Sequence, residues 1–159
     1  MIRRPQAWLP SLLLCAALGA GQVPDFALRR LDGTLFRSAD AVGRKVLVID
    51  FWATWCGPCK QLLKKLQELQ ARYPDVQVLA VSIDDGSSLA QVNQYVQGRG
   101  FTFTVLLDPD TNLCRRVNPS KGVPYTMVVD RRGEVAFTHS GYLPGDERTL
   151  FAQVEAARK

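Results

Sequence analysis

Apolar runs alternate with amphipathic segments through the middle of the chain. The run 46–52 (Val-Leu-Val-Ile-Asp-Phe-Trp) is β-branched, aromatic and almost wholly apolar, which is typical of a strand covered on both faces. From Pro58 onwards, leucines recur at helical spacing with charged residues between them, until Tyr73 and Pro74 end the pattern. The sequence therefore predicts a buried strand followed directly by an amphipathic helix.

The same alternation continues on both sides of this unit. The turn signal Asp32-Gly33, between 25–31 and 34–36, predicts an opening hairpin. Strand, helix and hairpin in this order predict an α/β fold in which helices cover both faces of a mixed sheet. Further strands are expected at 76–83, 101–107, 125–129 and 134–138, and further helices at 87–98, 111–117 and 146–157.

The first segment has a different character. Arg3 and Arg4 precede the apolar stretch 8–18, which ends in small residues, and this is the layout of a secretory signal peptide. The stretch contains a proline and is shorter than the roughly 20 residues that span a bilayer, so a short uncleaved anchor is the alternative. We therefore expect a leader at 1–21, a single domain at 22–159, and a periplasmic or otherwise exported protein.

Charge adds little to this prediction. The chain has 20 basic and 15 acidic residues, a net charge of +5, and removal of the leader takes away two arginines, which leaves about +3. The basic residues are scattered and not gathered into a stripe, so nucleic acid is not an expected partner. Lys60, Lys64 and Lys65 are interpreted as a solvated helix face.

The cysteines point to redox chemistry. Cys15 lies in the leader, where it is either lost or, as an alternative, modified by lipid. The remaining three form one close pair, Cys56 and Cys59, and one remote thiol, Cys114. An odd number of thiols in an exported chain does not suit a framework of structural disulfides, so we predict a redox pair and a bystander.

The Cys-Gly-Pro-Cys spacing places both thiols on one turn at the start of the predicted helix. Cys56, at the helix end, faces unpaired N–H groups and the positive end of the helix dipole, which favour its thiolate and make it the expected nucleophile. Cys59, one turn further in, is the expected resolving thiol. Gly57 allows a partner chain to approach, and Pro58 suits the first helical turn because it has no N–H to leave unpaired.

Two other uses of a Cys-x-x-Cys pair fit poorly. A zinc site needs two further ligands, and the chain offers only His139 and Cys114. Attachment of a c-type haem needs a histidine directly after the second cysteine, where Lys60 stands. We therefore expect no metal and no cofactor beyond the cysteine pair itself.

Asp50 is a carboxylate within an otherwise apolar strand. Loss of water should raise its pKa and suit it to accept the proton of Cys59 during resolution. The alternative is a buried acid that is satisfied by local hydrogen bonds. Its position six residues before Cys56 favours the proton-transfer role.

The segment 48–60 resembles the active-site segment of thioredoxin-like proteins, and Phe-Trp-Ala-Thr-Trp-Cys at 51–56 is especially similar to the exported TlpA/ResA-type branch. The resemblance covers about 24–151. It implies a thioredoxin fold with an N-terminal hairpin and an extra strand-helix insertion between 83 and 103. It also implies that Trp55 belongs to the active-site motif.

The same resemblance implies that Pro124 is a cis-proline facing the cysteines, with the Val123 backbone pairing to an extended segment of the substrate. Trp52 and Trp55 would pack under and beside the site, or else serve as core filling and an exposed aromatic. This sequence departs from the family in two respects. Ala80 occupies the place from which a lysine often partners the acid at Asp50, and 118–122 differs from the usual lead into the proline.

These observations predict an exported thiol:disulfide oxidoreductase. The resemblance suggests that it reduces protein disulfides, with cytochrome c maturation as one possible process. It is expected to be a monomer that receives electrons from a membrane thiol protein. The leader could tether it to the membrane. One alternative is an oxidant of newly exported proteins. Another is a non-catalytic binding module, or a copper-handling one, on the same fold.

Overall fold

The computed structural model describes residues 21–159, so the predicted signal peptide or anchor and Cys15 lie outside the described residues. One seven-stranded sheet forms the centre of the domain. The strands are β1 (Ala27–Arg30), β2 (Leu35–Arg37), β3 (Val46–Trp52), β4 (Val76–Ser82), β5 (Thr104–Leu107), β6 (Tyr125–Val129) and β7 (Val135–Ser140), and the helices are α1 (Gly57–Arg72), α2 (Leu89–Arg99), α3 (Asn112–Val117) and α4 (Asp146–Ala157).

The strands follow the order β2-β1-β5-β4-β3-β6-β7. The three central strands β3, β4 and β5 are parallel, and the flanking pairs are antiparallel, so the sheet is mixed as the sequence predicts. Every residue of β3 is buried, in agreement with its continuous apolar run. The carboxyl end of β3 leads directly into α1, which places the cysteine pair at the edge of the sheet.

Two apolar cores lie on opposite faces of the sheet. The alternate residues of β3 and β4 that include Val48 and Val78 pack against α1, α2 and α4. The residues between them, such as Leu47 and Leu79, pack against α3 and the residues around Phe36. Helices therefore cover both faces, which confirms the predicted fold class and the opening hairpin. The insertion at 83–103 contains a 3-10 turn and α2, and its predicted strand begins only at Thr104, as β5.

Element boundaries differ from the prediction in the insertion. Strand β5 starts at Thr104 and not at 101, because Phe101 stacks on Phe103 and meets Tyr95 edge-on, which holds these rings outside the ladder. Helix α2 starts at Leu89 after a single 3-10 turn at Gly86–Ser88. Within residues 21–159, each helix is too short or too polar to cross a membrane.

Candidate functional site

The cysteine pair lies at the junction of β3 and α1. Cys56 and Cys59 are joined in a disulfide with an S–S distance of 2.00 Å and a Cα–Cα distance of 5.3 Å. Cys59 is fully buried, whereas Cys56 is 5% exposed. The outer sulfur is thus the one that a partner can approach, which fits the order of roles predicted for the two thiols.

The start of α1 is built around the outer sulfur. Cys56 is the N-cap residue, and its Sγ accepts the backbone N–H of Cys59 at 3.2 Å. Pro58 stands in the first turn, and the exposed Gly57 leaves open space where a side chain would be. A sulfur at this position receives N–H groups and the positive end of the helix dipole, so a thiolate is favoured there.

The segment that leads into β6 approaches the outer sulfur from the other side. The Val123–Pro124 peptide bond is cis, and the carbonyl oxygen of Val123 lies 3.7 Å from the Sγ of Cys56. Pro124 is buried and Val123 is half-buried. A peptide chain bound at Val123 would therefore lie beside the reactive sulfur.

Sequence reasoning missed the residue that holds this segment. Asn118 is 1% exposed, and its Nδ2 donates to the carbonyl of Gly122 at 2.7 Å. Its Oδ1 accepts N–H groups from Ser120 and Lys121. The departure from the family pattern at 118–122 is thus a compact turn closed by one buried amide. The turn signal Asn118-Pro119 at the start of the loop is what could have indicated it.

Asp50 lies in β3 on the face that packs against α1, in the same apolar cluster region as Cys59. It is fully buried, and its Oδ1 accepts a hydrogen bond from the hydroxyl of Thr126 at 2.8 Å. Its Oδ2 has no partner in residues 21–159. Loss of solvation, opposed only by the Thr126 hydrogen bond, raises the pKa of Asp50 to about 8.

No cation offsets this desolvation from the neighbouring strands. Asp50 pairs in register with Ala80 of β4 on one side and with Thr126 of β6 on the other. Ala80 therefore lies opposite Asp50, as the family resemblance implies. A methyl group stands where many thioredoxin-like proteins have a lysine beside the acid. Thr126 was not singled out from the sequence, because only the register of β6 reveals that it faces the acid.

A second buried carboxylate supports the loop before the cysteines. Asp84 accepts the backbone N–H of Thr54 at 3.0 Å and the hydroxyls of Thr54 and Ser82. Its own N–H donates to the Ser82 hydroxyl at 3.1 Å. This network fixes the residue two positions before Cys56. Sequence reasoning missed Asp84, although an acid directly after a predicted buried strand was a usable signal.

The two tryptophans of the motif differ in environment. Trp52 is fully buried and packs against Tyr95, with ring centroids 5.6 Å apart. Trp55 is 70% exposed, directly beside Cys56. One thus supports the site from within, and the other offers an apolar surface to a partner.

The two remaining chemical groups lie away from the pair. Cys114 is a buried free thiol, and burial raises its pKa, which disfavours the reactive thiolate. His139 contacts the carboxylate of Asp146 at 3.2 Å at the partly exposed end of β7. In the described part of the chain, no group of three or more His, Cys, Asp or Glu side chains is arranged to hold a metal.

The sequence of this chain is similar to sequences of thioredoxin-like and thiol-disulfide proteins. A family model described as the AhpC/TSA family matches residues 20–138. The thioredoxin-like protein YneN of Bacillus subtilis is 34% identical over 131 residues, covering 79% of this chain and 74% of that protein. The thiol-disulfide oxidoreductase ResA of Geobacillus kaustophilus is 32% identical over 114 residues, covering 70% of this chain and 63% of that protein.

Solved structures agree with the sequence relatives. A thiol:disulfide interchange protein DsbE from Chlorobium tepidum superposes with a TM-score of 0.80 at 33% identity, covering 87% of this chain and 96% of that one. MTB DsbF, solved in mixed oxidized and reduced forms, gives a TM-score of 0.72 at 26% identity, covering 84% of this chain and 95% of that one. The fold of this chain is thus shared with a protein named for thiol:disulfide interchange.

Proposed function

Because the chain belongs to the AhpC/TSA family of thioredoxin-like proteins and has relatives named thiol-disulfide oxidoreductases, we propose that it reduces disulfide bonds of exported proteins through Cys56 and Cys59. The observation that carries the proposal is the placement of the pair. The outer sulfur caps a helix between the exposed residues Trp55 and Gly57, and the inner one is buried in the core region that also contains an acid of raised pKa.

In the proposed reaction, the Cys56 thiolate attacks one sulfur of a substrate disulfide. A mixed disulfide forms, and the other substrate sulfur leaves as a thiolate that takes a proton from water. Ionised Asp50 accepts the proton of Cys59, whose thiolate then attacks the Sγ of Cys56. The Cys56–Cys59 bond forms as the bond from Cys56 to the substrate breaks, and the second substrate sulfur leaves as a thiolate that takes a proton from water. Two electrons thus pass from the protein to the substrate.

A role for Asp50 in the second step follows from its environment. A general base works best when its pKa lies near the operating pH, and burial places that of Asp50 at about 8. Val123 and the cis-proline Pro124 are proposed to hold the substrate backbone beside Cys56, since the Val123 carbonyl lies 3.7 Å from its sulfur. Trp55, Gly57 and Pro58 form the exposed rim around it.

The residues between the cysteines support the reductive direction. A strong oxidant needs a reduced form that is unusually stabilised, and therefore extra positive charge near the thiolate. The two residues between the cysteines, Gly57 and Pro58, carry no charged side chain. The segment between the cysteines thus adds no cation that would stabilise the thiolate of a strong oxidant.

We further propose that residues 1–21 form the export signal or a short anchor of the domain 22–159. The reaction would then take place in the periplasm or an equivalent space, where a separate membrane thiol protein returns electrons to the pair. Cytochrome c maturation is the process we propose for it, since apocytochrome cysteines must be reduced before haem is attached.

Insulin reduction with a chemical thiol donor tests the activity. Wild-type protein should accelerate precipitation of the insulin B chain, and Cys56→Ser should abolish the acceleration. Cys114→Ser is the matched control, because it makes the same atomic change at the buried free thiol and should retain activity. Absence of activity in the wild type would contradict the proposal.

Titration against a thiol redox buffer tests the direction. A potential near about -270 mV is expected for a reductant, whereas a value near about -120 mV would identify an oxidant.

A further inference from the structure

A groove of about 580 Å³ lies between the active-site loop and helix α2, away from Val123 and Pro124. We call it the Trp55–Arg99 groove. Trp55 and Lys60 line it at the cysteine end, and Gln94, Tyr95 and Arg99 line it along α2. Because Trp55 directly precedes Cys56, a chain that leaves the reactive sulfur on this side enters the groove within a few residues.

The charge in the groove is of one sign. Lys60 and Arg99 both face the ring of Tyr95, with the Lys60 Nζ at 5.1 Å and the Arg99 Cζ at 5.5 Å from its centroid. The salt bridges found within residues 21–159 include neither of these cations. The groove lining contains no Asp or Glu. Two cations thus converge on one aromatic ring without a carboxylate beside them.

Uncharged hydrogen-bonding groups also line the groove. Gln91 and Gln94 add amide groups along the same wall. The exposed indole of Trp55 supplies an apolar surface at the entrance. This combination suits an extended peptide with carboxylate side chains better than it suits an apolar helix.

We propose that the Trp55–Arg99 groove binds an acidic segment of the substrate protein that flanks its disulfide cysteine. The inference rests on the proposed reductase function and adds a substrate class to it. Carboxylates of the segment pair with Lys60 and Arg99, while its backbone passes over Trp55. Charge complementarity of this kind acts mainly on the rate of encounter, so it weakens as salt screens the charges.

Three disulfide-bonded peptides that differ only in the residues after the cysteine, either Glu, Gln or Lys, test the proposal with the full chain. At low salt, kcat/KM for the Glu peptide should exceed that for the Gln peptide about threefold to tenfold, and the Lys peptide should be the poorest substrate. The preference should shrink to near unity in 0.5 M NaCl. Equal kcat/KM values for the three peptides at low salt would overturn the inference.

Reversal of the charge at Arg99 tests whether the groove causes the preference for the Glu peptide. Arg99→Glu should reduce or invert the ratio of kcat/KM between the Glu and Gln peptides, and Arg99→Gln should give an intermediate ratio even if the reversed variant folds poorly. Arg44→Glu is the matched control, because this exposed arginine precedes β3 at the opposite end of the sheet and should keep the wild-type ratio. An unchanged ratio in both Arg99 variants would overturn the inference.

Reduction of the uncharged reagent 2,2′-dithiodipyridine separates this inference from the proposed function. Wild-type protein that reduces neither the reagent nor any peptide lacks the proposed activity. Wild-type protein that reduces the reagent and the Gln peptide, without preferring the Glu peptide, retains the activity and contradicts only the acidic specificity of the groove.

Discussion

Two buried carboxylates lie near the cysteine pair, and their surroundings are opposite. Asp84, beside the loop that precedes the cysteines, accepts hydrogen bonds from Thr54 and Ser82 on both of its oxygens. Asp50, in the strand before the cysteines, accepts one from Thr126 and keeps one oxygen without a partner. A satisfied carboxylate fixes a loop, whereas a desolvated one of raised pKa can exchange a proton. We therefore propose that Asp84 holds the loop in place and that Asp50 transfers a proton.

The largest expected effect is on the pH dependence of stability. Burial keeps Asp50 protonated in the folded protein up to about pH 8, whereas the unfolded chain ionises near 3.8. The folded state holds an extra proton between these values, so its free energy of unfolding falls as the pH rises through this window. Asp50→Asn removes the fall, and the variant should gain about 5 kcal/mol over the wild type between about pH 4 and pH 8.

Urea unfolding of both oxidised proteins across this pH range measures the gain, since the intact disulfide removes the titration of its thiols. If the unfolding free energies of wild type and variant changed in parallel with pH, Asp50 would be ionised in the folded state. Its protonation would then not differ from that of an ordinary carboxylate.

The next effect concerns the rate at which the mixed disulfide is resolved. Asp50→Asn should slow this step about 100-fold near pH 7, because the buried thiol of Cys59 loses its proton acceptor. The first step, attack by Cys56, should change far less. Single-turnover decay of a preformed mixed disulfide, followed by quenching and mass measurement, reports the step. Equal decay rates in wild type and variant from pH 6 to pH 9 would remove the proton-transfer role.

Asp84→Asn should act in the opposite direction on stability. The amide cannot accept all the hydrogen bonds that the carboxylate receives from Thr54 and Ser82, so the variant should lose about 1 to 3 kcal/mol of unfolding free energy at neutral pH. Thermal unfolding of the two Asn variants side by side gives the comparison. A higher unfolding free energy for Asp84→Asn than for the wild type would show that the Asp84 carboxylate, like that of Asp50, destabilises the folded protein.

The smallest effect tests the single hydrogen bond of Asp50. The Thr126 hydroxyl lowers the pKa of the acid against the larger effect of burial. Thr126→Val conserves the shape and removes the donor, so the inflection in the resolution rate should move upward by about one pH unit. Thr138→Val, at an exposed position of β7, is the matched control and should leave the inflection in place. A downward shift of the inflection in Thr126→Val would contradict a hydrogen bond from Thr126 that lowers the pKa of Asp50.

The sequence predicts most of the fold and the chemical centre of the site. Periodicity locates β3 and α4 to the residue, and spacing and helix position single out Cys56 and Cys59, because these properties are local in the chain. The place of Ala80 opposite Asp50 also follows from a family resemblance. Local sequence patterns were enough to predict those features that depend on residues close together in the chain.

Features that depend on contacts between distant segments were not predictable in the same way. Thr126 is 76 residues from Asp50, and only the register of β6 against β3 brings them together. Asp84 reaches Thr54 across 30 residues. The start of β5 shifted because Phe101 and Phe103 pack as an aromatic cluster with Tyr95, which a strand pattern does not reveal. Tertiary packing decides these positions.

Trapping of the mixed disulfide tests the central claim most directly. Reduced Cys59→Ser and Cys56→Ser proteins are each incubated with a disulfide-bonded substrate, and the adducts are located by peptide mass mapping. We expect a stable adduct on Cys56 in Cys59→Ser, and little or none on the buried Cys59 in Cys56→Ser. An adduct of equal yield on Cys59, or no adduct in either variant, would contradict the assignment of nucleophile and resolving thiol.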